Sequence, residues 1–470
     1  MSIQTNTPQF MNDLMDVVRL FYPSGEEPNI LHEHACEQDQ FIERASMDGH
    51  EPVIYKVPAV LGGLAEKRMI KRAAKISIYE LLKSCTDTHP PWGSLTGIRP
   101  TRLFYEAIDQ GMTEQQAQRH MSERYDVDED RAQLLRDIYR MQHGLIEHDS
   151  DEFDLYIGIP FCVTRCSYCS FLSGEIGNGK LVPPYIDALL AEMRGAAALM
   201  NRLHMRPRAC YMGGGTPTSL SASQLDKVLA EAKQLFPNAR EWTVEAGRPD
   251  TIDAAKLDVM RRHDISRISI NPQSFSDETL VRIGRAHTSE DTIRAFELAR
   301  AHGFDSINMD LICALPGETL SDFTRTLARA IEMDPESITV HTLAIKHGSK
   351  LSESRSAQVD AVSAQSMVDQ ARAQLGDHAY LPYYLYRQKY MAGNLENVGY
   401  AKRGHACLYN IDIMEETAPV LALGAGAITK WLFPRERRIE RAPNVKNIEQ
   451  YIARVAEMVE RKRALIMEER

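Results

Sequence analysis

The chain has 470 residues, is 43% hydrophobic, carries a formal net charge of −10 and has a pI near 5.9. That length holds more than one domain, and the apolar fraction is enough for an ordinary globular core. The acidic balance argues against a protein that wraps nucleic-acid phosphates, which needs a basic face. The opening MSIQTNTPQFMNDLMD lacks the cationic start and apolar run of a signal peptide. The longest apolar stretch, Ala418 to Ile428, is too short and too glycine-rich to span a bilayer.

Residues 1–150 mix strand-like pieces such as EPVIYKVP with helical ones, and end in a connecting helix within DEDRAQLLRDIYRMQHGLIEH. They are expected to form an α+β accessory domain. From Asp154 a strand–helix rhythm begins. β-Branched and aromatic runs predict strands at DLYIGI, RACYMG, EWTVEA, RISIN, SINMDLI and SITVHTL. Segments of helical period separate them: LVPPYIDALLAEMRGAAALM, SASQLDKVLAEAKQLF, DTIDAAKLDVMRRH, SEDTIRAFELARAH and SDFTRTLARAIEM, with DAVSAQSMVDQARAQL after the sixth strand. Such alternation implies right-handed crossovers and a parallel sheet. Six units where a closed barrel has eight predict an α/β fold, a partial (β/α)6 barrel over residues 151–380. Residues 381–470 form a C-terminal region with an aromatic, glycine-containing segment and a final helix, IEQYIARVAEMVERKRALIMEER.

Three of the eight cysteines, Cys162, Cys166 and Cys169, crowd into FCVTRCSYCSF just after the first predicted strand. The other five (Cys36, Cys85, Cys210, Cys313, Cys407) are scattered and form no disulfide framework, so a cytoplasmic location is expected. A C-x3-C-x2-C array in a loop lets three thiolates meet one face of a cubane iron–sulfur cluster, one on each of three irons. The fourth iron is left open to a small chelator, a role that the amine and carboxylate of S-adenosylmethionine suit. A structural zinc site closes four positions, and no second cysteine or histidine pair lies nearby.

Chemistry in such a barrel collects where the strands end. Gly213-Gly214-Gly215-Thr216 ends the second strand and Glu245 the third. Gln273 follows the fourth, Asp310 lies near the end of the fifth, and Ala344 closes the sixth. Glycines let a backbone approach a ligand closely. A carboxylate in an apolar strand is costly unless something partners it.

The run YIGIPFCVTRCSYCSF resembles the signature of radical S-adenosylmethionine enzymes. With YMGGGTPTSL following, it is similar to the oxygen-independent coproporphyrinogen III oxidase family. LTGIRPTRL (95–103), TVEAGRPDTI (243–252) and KYMAGNLENVGYAKRG (389–404) resemble its HemZ-type branch. The resemblance implies a [4Fe–4S] cluster on Cys162, Cys166 and Cys169. It also implies S-adenosylmethionine contacts at Tyr156, Tyr168, Gly214, Gly215, Thr216, Glu245, Gln273, Arg285, Asp310 and Ala344, some of them serving a second S-adenosylmethionine. The implied activity is that of an oxidoreductase of porphyrin and haem biosynthesis. A 5′-deoxyadenosyl radical takes hydrogen from a propionate of coproporphyrinogen III; carbon dioxide and an electron leave, and two rounds give protoporphyrinogen IX. The implied partners are the tetrapyrrole and a reductant such as flavodoxin or ferredoxin.

The anionic tetrapyrrole could meet AEKRMIKRAAK (65–75) with Arg99 and Arg102, or the tyrosine-rich YLPYYLYRQKY (380–390). An ordinary solvated helix face and ordinary core aromatics are the preferred readings of these runs. Two positions depart from the family pattern. Phe171 stands where the family's best-described enzymes carry a further cysteine, and it resembles a branch of haem chaperones. That branch bears an HNxxYW motif, and here Tyr409 replaces its histidine, with Ile413 and Met414 in place of the aromatic pair. His405 and Cys407 are nearby alternatives as haem ligands, and a structural role for both is preferred. The alternatives to decarboxylation are a haem-binding chaperone that retains the cluster, or another radical reaction on a tetrapyrrole, methyl transfer with ring opening.

Overall fold

The structure is a computed structural model that describes residues 2–22, 28–97, 99–169, 174–344, 360–388, 391–433 and 438–467. Phe171, Lys389 and Tyr390 lie outside the described residues. The chain divides into two compact units. The first is residues 1–139 with 387–389 and 393–395; the second is residues 140–386 with 390–392 and 396–470.

In the first unit, β1 (Ser2–Thr5), β2 (Asn29–Glu37), β3 (Gln40–Met47) and β4 (Val53–Pro58) form a four-stranded sheet in that order. Helices α1 (Met11–Phe21) and α2 (Gly63–Cys85) bury Leu14, Val17, Ile78 and Leu81 in one cluster with Ile30 and Ala45 of the sheet. Three more helices follow: α3 (Thr101–Asp109), α4 (Glu114–Tyr125) and α5 (Glu129–Gln142). The basic run 65–75 lies on α2, with Lys67 and Arg68 in solvent; Arg102 is exposed and ion-paired to Glu106.

The second unit opens with β5 (Glu152–Ile159), the short pair β6 (Phe161–Cys162) and β7 (Gly174–Glu175), and α6 (Val182–Arg202). Then come β8 (Arg206–Gly214), α7 (Ala222–Leu235), β9 (Glu241–Gly247), α8 (Ala254–Arg262), β10 (Arg267–Ile270), α9 (Asp277–Arg282) and α10 (Ser289–Ala301). β11 (Ile307–Cys313), α11 (Leu320–Glu332), β12 (Ser337–Thr342) and α12 (Ala361–Asp377) complete the repeats. The six strands expected from the sequence are β5 and β8 to β12; they pair in parallel and in chain order, the topology of a partial (β/α)6 barrel. Capping boxes at Ser221, Thr288 and Thr319 start α7, α10 and α11 by satisfying orphan amide N–H groups.

The C-terminal residues add strands that the sequence reading lacked. β13 (Leu381–Tyr386) and β14 (Asn397–Ala401) run antiparallel beyond β12. After α13 (Leu408–Glu415), β15 (Val420–Leu423) pairs in parallel with the far edge of β5, and β16 (Ile428–Phe433) and β17 (Arg438–Pro443) extend that side. The result is an eleven-stranded sheet running from β13 to β17. The final helix is two, α14 (Ile448–Ala453) and α15 (Val455–Met467), separated at Arg454.

The sheet is curled, and α13 shows it. Asn410 bonds Tyr383 of β13, Asp412 bonds Arg208 of β8, and Cys407 bonds Glu241 of β9. In a flat sheet β13 and β8 would stand about 29 Å apart at roughly 4.8 Å per strand, too far for one helix to bridge. Arg208, Glu241 and Arg267, which bonds the His405 carbonyl, all lie at or near strand N-termini. α13 therefore fills that end of the barrel, and the C-terminal end carries the cysteines. No helix among the described residues is long and apolar enough to cross a membrane.

Candidate active site

The strands of the barrel are buried almost throughout, so the exceptions are informative. Tyr156 is the one half-buried residue of β5, Asp310 of β11 and His341 of β12; Tyr211 in β8 and Glu245 in β9 are half-buried between buried neighbours. Tyr156 and Tyr211 are direct ladder partners, as are Asp310 and Thr339, and alternation puts each strand's polar residue on one face. The five are linked there: Tyr156 stacks on Tyr211, Tyr211 bonds Glu245, and His341 pairs with Asp310.

The cysteine loop leaves β5 at Pro160 and is tied down along its length. Thr216 N–H donates to the Phe161 carbonyl at 2.7 Å and Ile176 N–H to the Cys162 carbonyl at 2.8 Å. Arg248 Nη1 donates to Thr164 Oγ1 at 2.7 Å, and Ser167 N–H to the Ile283 carbonyl of the turn after α9 at 3.0 Å. Cys162, Cys166 and Cys169 are free thiols, half-buried. Among the described residues no three His, Cys, Asp or Glu side chains gather round a single-ion position. A cubane asks something different of its cysteines, one sulfur on each of three irons.

The glycine run forms a ledge between this loop and Glu245. A Cβ on Gly215 would lie 2.5 Å from the Phe161 carbonyl oxygen and 3.0 Å from Cys162 Sγ; one on Gly213 would lie 2.6 Å from Glu245 Oε2. Only glycine lets the backbone fit both places. Thr216 Oγ1 sits 3.7 Å from Cys162 Sγ. Glu245 accepts from the Tyr211 hydroxyl at 2.5 Å and from Gly214 N–H at 3.3 Å. Loss of solvent pushes its carboxyl up to about 7, helped by the neighbouring Asp310, while the Tyr211 bond pulls it down. Burial alone would raise Asp310 too, but His341, Asn308 and Thr339 bond it and hold it below its ordinary value. Burial and the Glu245 charge raise the Tyr156 hydroxyl.

The other expected residues fall into two groups. Arg285 donates to Tyr168 and Cys166, and to the Asn271 carbonyl at 2.7 Å; burial opposes its charge, and these partners leave its pKa raised. Gln273, in a left-handed conformation with φ 68°, donates its N–H to the Asp310 carbonyl at 2.9 Å. Ala344 stands apart from both groups, bridged to Met391 beyond the end of β12.

Sequence reasoning missed Tyr211, His341 and Arg248. A tyrosine in a strand has the look of core packing, and only the register with Tyr156 gives it away. Tyr409 stacks on Tyr211 with ring centroids 4.6 Å apart and on Tyr156 at 6.2 Å. Cys407 is buried, donates to Glu241 at 3.1 Å, and is pushed well above the ordinary thiol range by burial, so it stays a thiol. Tyr383 and Tyr384 are buried in β13, and the Tyr380 hydroxyl donates to the Pro335 carbonyl.

The donor set suits an iron–sulfur cluster with an adjoining S-adenosylmethionine: three thiols, a ledge closed to any Cβ, and a carboxyl beside it. Comparison with known proteins agrees. Residues 156–330 match the model of the Radical SAM superfamily. The chain is 40% identical over 400 residues to the oxygen-independent coproporphyrinogen-III oxidase-like protein HemZ of Bacillus subtilis (strain 168), covering 83% of this chain and 80% of that one. It is 30% identical over 285 residues to the heme chaperone HemW of Escherichia coli (strain K12), covering 60% and 71%. The fold is shared with the coproporphyrinogen III oxidase HemN from Escherichia coli, a radical SAM enzyme, with a TM-score of 0.55 and 23% identity over 67% of this chain and 72% of that one. The chain thus belongs to the radical SAM superfamily, in the family of HemZ-type oxygen-independent coproporphyrinogen-III oxidase-like proteins.

Proposed function

We propose that the protein is a radical oxidoreductase that decarboxylates propionate side chains of coproporphyrinogen III to vinyl groups without oxygen. The observation that carries the reading is the set of half-buried polar residues on one face of the barrel strands, Tyr156, Tyr211, Glu245, Asp310 and His341, with Glu245 bonded to Gly214 of the ledge that abuts the cysteine loop. Kinship with HemZ supports the choice of substrate.

Cys162, Cys166 and Cys169 would hold a [4Fe–4S] cluster, and Gly214, Gly215, Thr216 and Glu245 one S-adenosylmethionine. When bound and supplied with an electron from a flavodoxin- or ferredoxin-like donor, the pair provides a 5′-deoxyadenosyl radical, the hydrogen abstractor. The chain's own residues orient and exclude solvent. The ledge brings backbone N–H groups to the ligand, and Glu245, once ionised, offers an anion to its ammonium. Tyr156, Tyr168, Gln273, Arg285 and Asp310 would wall the space around it. The substrate propionate loses a hydrogen atom to the 5′-deoxyadenosyl radical, then carbon dioxide and one electron, which a one-electron acceptor supplied from outside the chain takes up, leaving the vinyl group.

Anaerobic reconstitution with coproporphyrinogen III, S-adenosylmethionine and reductant tests this. Formation of both 5′-deoxyadenosine and protoporphyrinogen is expected; 5′-deoxyadenosine without vinyl product would contradict the substrate. A second reading, a haem-binding chaperone retaining the cluster, draws on the likeness to HemW. Haem titration separates the two, since the chaperone binds haem tightly without turnover. Against it, Tyr409 takes the place of the chaperones' histidine and is stacked into the barrel interior.

A further inference from the structure

The turn that follows β9, within the segment TVEAGRPDTI, brings a charged pair against the cysteine loop. Arg248 is buried, and its side chain reaches Thr164, midway in sequence between Cys162 and Cys166. Nη1 donates to the Thr164 hydroxyl at 2.7 Å and to the Thr164 carbonyl at 3.2 Å. Nε and Nη2 donate to the two carboxylate oxygens of Asp250 at 3.0 and 2.8 Å. One planar guanidinium thus grips a carboxylate along one edge and the loop with its remaining nitrogen.

The backbone holds this fork in place. Arg248 N–H donates to the Ala246 carbonyl at 2.8 Å, and the Arg248 carbonyl accepts from Thr251 N–H at 3.0 Å. The Thr218 hydroxyl, beyond the glycine run, donates to the same Ala246 carbonyl at 2.6 Å. Burying a cation is costly even when it is paired, and a neutral amide could tie the loop without that cost, so the charge itself calls for a use. Burial would raise the Asp250 carboxyl, but the bonds from Arg248 hold it below its ordinary value, so the pair stays ionised. His287, with its buried ring 4.0 Å from Asp250, is held down to about 4 by burial and by the Arg285 charge, and so stays neutral. Arg248 therefore presents a cation to the loop, with the Asp250 anion on its other edge.

We propose that Arg248 is a positioning residue for the iron–sulfur cluster: through Thr164 it fixes the span from Cys162 to Cys166, and with Asp250 it sets the charge against which the cluster is reduced. The inference rests on the cluster reading of the three cysteines and not on the choice of substrate.

The test is the midpoint potential of the anaerobically reconstituted cluster, followed by electron paramagnetic resonance during titration with dithionite and mediators. Hydrogen exchange of the cluster-free chain accompanies it. Arg248→Gln removes the cation and leaves the carboxylate, so the potential is expected to fall. Asp250→Asn removes the anion and leaves the cation, so the potential is expected to rise. The double variant should lie between them, and Arg248→Lys, which keeps the charge, should lie nearer wild type than Arg248→Gln. A purely structural role has no reason to move the two single variants in opposite directions. Thr164→Val leaves both charges in place; it should speed exchange across residues 162–166 about fivefold, the worth of one hydrogen bond, while β8 and β9 stay protected and the potential changes little. Shifts of one sign, or none, in Arg248→Gln and Asp250→Asn overturn the proposal and leave the cluster reading standing. Should Arg248→Gln take up no cluster, an unmoved potential in Asp250→Asn with unmoved exchange in Thr164→Val overturns it equally. A wild type that takes up no [4Fe–4S] cluster overturns both readings.

Discussion

Glu245 is the residue whose chemistry depends most on its surroundings. Its carboxyl sits at about 7 against an ordinary 4.5 because it is desolvated, so the folded state holds a proton that the unfolded chain releases. Stability then falls as pH rises from about 4.5 to 7, by an order of magnitude near 3 kcal/mol at about 1.36 kcal/mol per unit. Comparing thermal unfolding of the cluster-free protein and Glu245→Gln across that window checks it: wild type should lose stability with rising pH relative to the variant, and parallel profiles would contradict the assignment. Ligand binding should show the opposite trend. If Glu245 pairs with the ammonium of S-adenosylmethionine, affinity rises with pH through about 7, and calorimetry in buffers of different ionisation heat should detect a proton released on binding. Gly215→Ala is the steric counterpart. Its Cβ meets backbone at 2.5 Å, so the loop bearing Cys162 must shift and reconstituted iron content should drop sharply. Cys166→Ala should abolish cluster assembly.

At the scale of elements, two buried ion pairs hold the C-terminal additions in place. Lys462 of α15 donates to Glu192 of α6 at 2.6 Å, and Glu192 also accepts from Tyr451, Asn444 and Gly424 N–H. Tyr185, two turns earlier on the same face of α6, donates to the Gly158 carbonyl of β5, two residues before Pro160. Lys462→Met leaves a buried carboxylate without its cation and should cost about 3–5 kcal/mol in urea unfolding, whereas pairing it with Glu192→Gln should recover part of that. Arg208 and Asp412 join β8 to α13 in the same way.

These additions are also where sequence reasoning stopped. The βα repeats could be read because buried parallel strands make continuous β-branched runs and their helices are amphipathic. Strand β15 is only the four residues VLAL, set between Pro419 and Gly424, and β17, RIERAP, is a charged edge strand with almost no apolar face. Nothing local in such segments marks a strand, and β15 joins the sheet through β5, far earlier in the chain. The site divides similarly. The cysteines, the glycine run and Glu245 follow from strand ends, but Tyr211 and His341 gain meaning only once register brings them beside Glu245 and Asp310.

Over the whole molecule, the strands are the rigid part and the cysteine loop is held by a handful of bonds. Stripping the cluster should therefore loosen residues 161–169 while β8, β9 and β11 keep their amide protection in hydrogen exchange. Uniform loss of protection would mean that the cluster organises the barrel itself. The proposed chemistry requires an incompletely ligated cubane whose open iron meets S-adenosylmethionine. The most direct test is electron paramagnetic resonance of the anaerobically reconstituted, reduced protein before and after S-adenosylmethionine is added. A [4Fe–4S]+ signal that shifts its g values on addition is predicted; a protein with no such signal, or with one that S-adenosylmethionine leaves unchanged, would contradict it.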